Sequence, residues 1–202
     1  MDIYKELNIK TIINAQSWVT KLGGSIMRPE VLDAMNKASS AFVNVEELHE
    51  KCSEQIANLC NSESALITSG CASAIVLMSA AVICAKDESL IDEIPNIINR
   101  PEILIDSNAR NHYDSAFEMT GAKLVEYKNL DDIKKKVTRK SIAIAFVEAP
   151  FLGSGVSINE TVNYANEFGL PVIVDASARI PPVSNLYKFT DAGAAMVAYS
   201  GG

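Results

Sequence analysis

Asp175 closes the apolar run Pro171-Val-Ile-Val174. A carboxylate in such surroundings is costly unless a cation or several donors meet it. Two partners answer that need: a structural cation such as Arg179, or a cationic nitrogen of a cofactor. Thr68-Ser-Gly-Cys-Ala72 leads from a short apolar stretch into an apolar helix. Gly70 lets the backbone turn tightly there, and the free N–H groups at the helix start can hold a phosphate, although such turns also occur without a ligand. The Gly-Lys-Ser/Thr of a Walker loop is missing. His112, in Asn108-Ala-Arg-Asn-His-Tyr113, can stack on a planar ring, move a proton, or simply be solvated. The other histidine, His49, lies on a Glu-rich helix and reads as a surface residue. Tyr199-Ser-Gly-Gly202 takes a buried strand into a glycine loop at the chain end.

The elements that must hold these residues alternate along the chain. Pro29 opens a helix with Val31, Leu32, Met35 and Ala38 on one face. Asn44 and Glu47 have the spacing of a capping box for a second helix, about Val45 to Cys60. Strands are expected at Ala65–Thr68, Glu102–Asp106, Lys123–Tyr127, Ile142–Val147, Pro171–Asp175 and Ala195–Tyr199. Helices are expected between them: Cys71–Ala85, Tyr113–Thr120 stopped by Gly121, Asp131–Val137, and one from Ser157 and Glu160 to Phe168, stopped by Gly169. Continuously apolar strands separated by helices predict an α/β fold, a mainly parallel sheet with helices on both faces. Ligands in such sheets bind outside the carboxyl ends of the strands. That places the search at Thr68–Ala72, Asp106–His112, Glu148–Pro150, Asp175–Arg179 and Ser200–Gly202.

Composition excludes several classes. The chain has 202 residues, 48% apolar and 21% charged, with a net charge of −7. It is neither a disordered nor a collagen-like chain, and it is a poor general binder of nucleic acid. Its four cysteines, at 52, 60, 71 and 84, form no CxxC pair and no zinc spacing, and read as inert thiols of a reducing cytoplasm. The N-terminus MDIYKELNIK is not a signal peptide. Ser64 to Ala85 carries no charge, but Thr68-Ser-Gly70 interrupts it, so a buried helix is expected rather than a membrane span.

Taken in order, the Ser-Gly turn, the loop histidine, the strand-ending aspartate and the final Ser-Gly-Gly resemble one family. The chain looks like the large domain of fold-type-I pyridoxal-phosphate enzymes, in the selenocysteine synthase-like branch that includes D-glucosaminate-6-phosphate ammonia-lyase-type proteins. Further segments carry the resemblance: Ile13-Asn-Ala15, Leu22-Gly-Gly-Ser25 with Pro29-Glu-Val31, Ala41-Phe-Val43, Asn111-His-Tyr-Asp114 and Thr120-Gly-Ala-Lys-Leu-Val125. The resemblance implies that Ser69, Gly70 and Cys71 meet the cofactor phosphate and that Asp175 pairs with the pyridinium nitrogen. It further implies that Ser177 packs under the ring and that Ser200 bonds the phosphate. His112 would stack above the ring, with Tyr113 or Arg110 as alternatives. Arg110 and Arg179 are candidates for an anionic substrate group. No metal site is expected.

In the family the Schiff-base lysine follows Ser-Gly-Gly, and the chain stops before it, so none of its residues takes the catalytic lysine role. A truncated product, a split gene and a sequence cut at a modified lysine all fit that ending. The expected organisation is an N-terminal helical arm over residues 1–60 and an incomplete cofactor-binding domain over 61–202, without the family's smaller C-terminal domain. For the complete protein the resemblance implies a cytoplasmic homodimer, a lyase or transferase acting on an amino-group substrate through an external aldimine and a carbanion. An ammonia-lyase acting on a phosphorylated amino sugar or amino acid is the leading expectation. Selenocysteine synthase-like transfer on aminoacyl-tRNA is the alternative, and the acidic balance and lack of a basic stripe count against it. A third reading is a catalytically dead fragment or interaction module. A nicotinamide-binding domain is more distant, since the GxGxxG fingerprint is absent.

Overall fold

The computed structural model describes residues 3–16, 19–148 and 156–201. They form two units, one reaching to Asn44 and one running from Val45 to Gly201. The first unit holds α1 (Ile3–Glu6) and α2 (Pro29–Ala38). Pro29 sits in the first turn of α2, where its missing N–H costs nothing, with Glu30 also in that turn and Lys37 in the last. Neither helix buries a residue.

The second unit begins with α3 (Val45–Leu59), which the sequence reading groups with the N-terminal segment. Then comes α4 (Cys71–Lys86). The five strands are β1 (Glu102–Asp106), β2 (Lys123–Tyr127), β3 (Ser141–Val147), β4 (Val172–Asp175) and β5 (Met196–Ala198). Between them lie α5 (Ser115–Glu118), α6 (Leu130–Lys136), α7 (Ile158–Glu167) and α8 (Asn185–Asp191). The sheet order is β2-β1-β3-β4-β5, and every adjacent pair is parallel. The capping box of α7 forms as its sequence predicts: Ser157 Oγ accepts from the Glu160 N–H, and Glu160 returns to the Ser157 N–H.

Successive strand residues point to opposite faces, and the core divides accordingly. On one face Ile103, Ile105, Ala143, Ala145, Val147 and Ile173 pack with α4 and α5. On the other, Leu104, Ile144, Phe146, Val172 and Val174 pack with residues of α6, α7 and α8. Glu102 pairs with Ser141 but Ile103 pairs with Ala143, so Ile142 is an extra residue. That bulge explains why the neighbours Ile142 and Ala143 belong to the same face.

One expected strand is absent. Ala65–Thr68 forms no strand and pairs with none among the described residues, and Leu66 and Ile67 remain 61% and 43% exposed. Apolar, β-branched composition favours a strand only where a neighbouring edge completes the ladder. Among the described residues, no helix is long and apolar enough to cross a membrane.

Candidate functional site

The carboxyl ends of the parallel strands gather Asp106, Glu148, Asp175 and Ser200 at one end of the sheet. The start of α4 approaches the same end. Asp175 is only 5% exposed. Its Oδ1 accepts from the Ser177 N–H at 3.0 Å and from the Cys71 thiol at an Sγ···O distance of 3.9 Å. Among the described residues, no donor reaches Oδ2. Burial and the neighbouring Asp175 carboxylate push the Cys71 thiol up to about 12, so it stays protonated and donates. Three residues predicted from sequence, Cys71, Asp175 and Ser177, thus meet although they come from separate elements.

Arg179 is not the partner of Asp175. Its guanidinium pairs with Glu148 at 3.1 Å, and Lys188 reaches the same Glu148 oxygen at 3.3 Å. The Arg179 Nε is buried with no hydrogen-bond partner. The first of the two partners allowed to Asp175 by the sequence is therefore paired elsewhere, and no cation among the described residues meets the carboxylate.

Gly70 shapes the turn before α4 and stands at the N-cap of that helix. Gly70 has φ +148°, a conformation that side chains rarely adopt, and a Cβ there would meet nothing within 4 Å. Open space thus faces the glycine, and the helix begins at Cys71 with no side-chain cap on its first N–H groups. Thr68 Oγ1 donates to the Gly70 carbonyl at 2.8 Å, and Ser69 and Ser73 hydroxyls lie 2.8 Å apart. Ser69 and Ser200 are exposed.

His112 is exposed on the 3-10 turn His112–Asp114 that follows β1. Asn111 caps that turn, and Asp114 returns to the Asn111 N–H at 2.8 Å. Arg110 is held between Asp114 and Glu126, at 2.6 Å from each. It anchors this loop to β2 and has both carboxylates as partners already. Tyr113 is 62% exposed. Of the remaining predicted location, Glu148–Pro150, only Glu148 lies within the described residues, and Gly202 lies outside them.

His49 was missed by sequence reasoning. It is half-buried rather than a surface residue, and its Nε2 lies 2.8 Å from the Ile67 carbonyl. Its position four residues before Ser53 on α3 is a faint signal, since Ser53 Oγ lies 3.5 Å from Nδ1. Among the described residues, no group of three or more metal-ligating side chains exists.

No protein-family profile matches the chain. The chain has the fold of the fold-type-I pyridoxal-phosphate enzymes, as the order of its site residues anticipates. Within that class it is similar to D-glucosaminate-6-phosphate ammonia lyase of Salmonella typhimurium, 30% identical over 99% of the chain and 56% of the relative. A solved structure of D-glucosaminate-6-phosphate ammonia-lyase superposes with a TM-score of 0.89 at 29% identity, over 99% of this chain and 56% of that one. A 5'-C-glycyluridine monooxygenase-decarboxylase of a Streptomyces species is 27% identical over 98% of the chain and 52% of the relative. An L-seryl-tRNA(Sec) selenium transferase of Clostridium perfringens is 28% identical over 87% of the chain and 41% of the relative. The chain thus spans about half the length of the curated relatives it matches.

Proposed function

We propose that the chain is the cofactor-binding part of a pyridoxal-phosphate lyase that releases ammonia from a phosphorylated amino sugar or amino acid. The observation that carries the reading is Asp175: a buried carboxylate, steadied on Oδ1 with no donor on Oδ2 among the described residues, beside the uncapped start of α4. Pyridoxal phosphate fits both features, since its cationic ring nitrogen answers the carboxylate and its phosphate answers the turn. When bound, the cofactor supplies an electron sink for the bond broken beside the substrate nitrogen.

This chain's own residues bind and orient. The N–H groups of Ser69, Gly70 and Cys71, with the Ser200 hydroxyl, hold the phosphate. Asp175 keeps the ring nitrogen protonated. Ser177 packs below the ring and His112 above it. Arg179, which pairs with Glu148 alone and keeps a buried Nε without a partner, is the better placed of the two arginines to meet an anionic substrate group, because Arg110 is already held by two carboxylates. A homodimer in the cytoplasm is the setting that the family resemblance supports.

Two measurements test the reading. Equilibrium dialysis of the chain with pyridoxal phosphate should show saturable binding, and the native gene product should release ammonia from D-glucosaminate-6-phosphate. Absence of cofactor binding sinks the whole reading. Binding without ammonia release removes the substrate and keeps the cofactor.

A further inference from the structure

The segment before α4 lacks the support that usually fixes a cofactor turn. Ala65–Thr68 has no strand partner among the described residues. The hydrogen bonds of Thr68, Ser69 and Gly70 stay inside the turn and the first turn of α4. Ser64 accepts from the nearby Ser62 hydroxyl, at 3.1 Å. Among the described residues, the hydrogen bond from this segment to another element runs from Ile67, whose carbonyl lies 2.8 Å from His49 Nε2 on α3. The tautomer with its proton on Nε2 donates to Ile67 and leaves Nδ1 to accept from Ser53 Oγ, at 3.5 Å.

We propose that His49 is a positioning residue for the anion-binding turn: its imidazole holds the Ile67 carbonyl and so aims the N–H groups of Gly70 and Cys71 at a phosphate. The inference rests on the cofactor reading above and adds a residue that touches neither cofactor nor substrate. Ile67 is three residues from Gly70, and Gly70 adopts an open backbone conformation with no cap of its own on α4. A freely moving Ile67 would spread the direction of those N–H groups, and preorganisation is what gives such donors their strength. A side-chain tether from α3 replaces the missing ladder.

The test compares pyridoxal phosphate with pyridoxal, which differ only in the phosphate, and uses inorganic phosphate as a third probe. Wild-type chain should prefer pyridoxal phosphate over pyridoxal. His49→Ala should lose about two- to tenfold of that preference, the range of one net hydrogen bond, while its affinity for pyridoxal stays unchanged. His49→Gln, which keeps an N–H donor, should recover part of the loss. An unchanged preference in His49→Ala overturns the proposal. An equal fall for both ligands, together with a lower Tm, also overturns it, because that marks a general packing role. If wild-type chain binds phosphate at the Gly70 and Cys71 amides, seen by NMR, but not pyridoxal phosphate, the cofactor reading fails, and loss of those shifts in His49→Ala still supports the tether. Wild-type chain that binds neither ligand overturns both.

Discussion

Asp175→Asn separates stability from binding. The side chain is 5% exposed, and its Oδ1 already receives the Ser177 N–H at 3.0 Å. Asparagine keeps that acceptor and removes a buried charge that meets no cation among the described residues. The free chain should therefore hold its Tm or gain, because the desolvation penalty of the charge disappears. Cofactor binding should move the other way. Two unit charges 4 Å apart attract by about 4 kcal/mol at an effective dielectric of 20, an upper bound before desolvation. A hydrogen bond to a charged group contributes about 1.5–3 kcal/mol net, which is roughly 10- to 150-fold in affinity. Differential scanning fluorimetry of the free variant and dialysis with pyridoxal phosphate read the two quantities. Pyridoxal should lose as much affinity as pyridoxal phosphate, since the ring nitrogen is common to both. A variant that binds both ligands as well as wild type, or one that loses several degrees of Tm without ligand, would refute the argument.

Gly121→Ala should destabilise the chain by more than about 2 kcal/mol in urea denaturation, since φ is +90° and the new Cβ would clash with the backbone oxygen of Pro95. Wild-type stability in this variant would mean that the Pro95 loop shifts freely. Ile144→Ala, at a residue of 0% exposure, should cost about 2–5 kcal/mol in the same assay. Cys71 should react with iodoacetamide at pH 8 far more slowly than Cys52, because its thiol is pushed up to about 12. The sign of its linkage follows from a raised native value: its contribution to stability is complete below pH 9 and is lost as pH rises toward 12. Mass spectrometry after timed alkylation checks the first point, and equal rates at the two cysteines would contradict it.

The sheet could be read in the residues themselves, and so could the meeting of Cys71, Asp175 and Ser177 at the strand ends. Ile103 to Ile105 and Ile142 to Val147 are apolar at every step, and both of their faces are covered. Asp175 announced itself because a charge within such a run needs an answer, and the structure removes Arg179 as that answer by pairing it with Glu148. What the sequence hid depends on distant partners. Nothing near Ala65–Thr68 says whether a neighbouring edge exists, so local composition suggested a strand that does not form. Arg110 looked available until Glu126, from another strand, came within 2.6 Å. His49 was hidden for the same reason: its partner is a backbone carbonyl on a different element, and no side-chain pattern marks a carbonyl.

The two apolar clusters on either side of the sheet share no residue. The sheet is therefore a partition, and the protein has two interiors rather than one. A void opened beside Ile144 cannot be filled by α4, and crowding beside Ile173 cannot be relieved by α7. Substitutions on opposite faces should add nearly independently, whereas those on one face should couple.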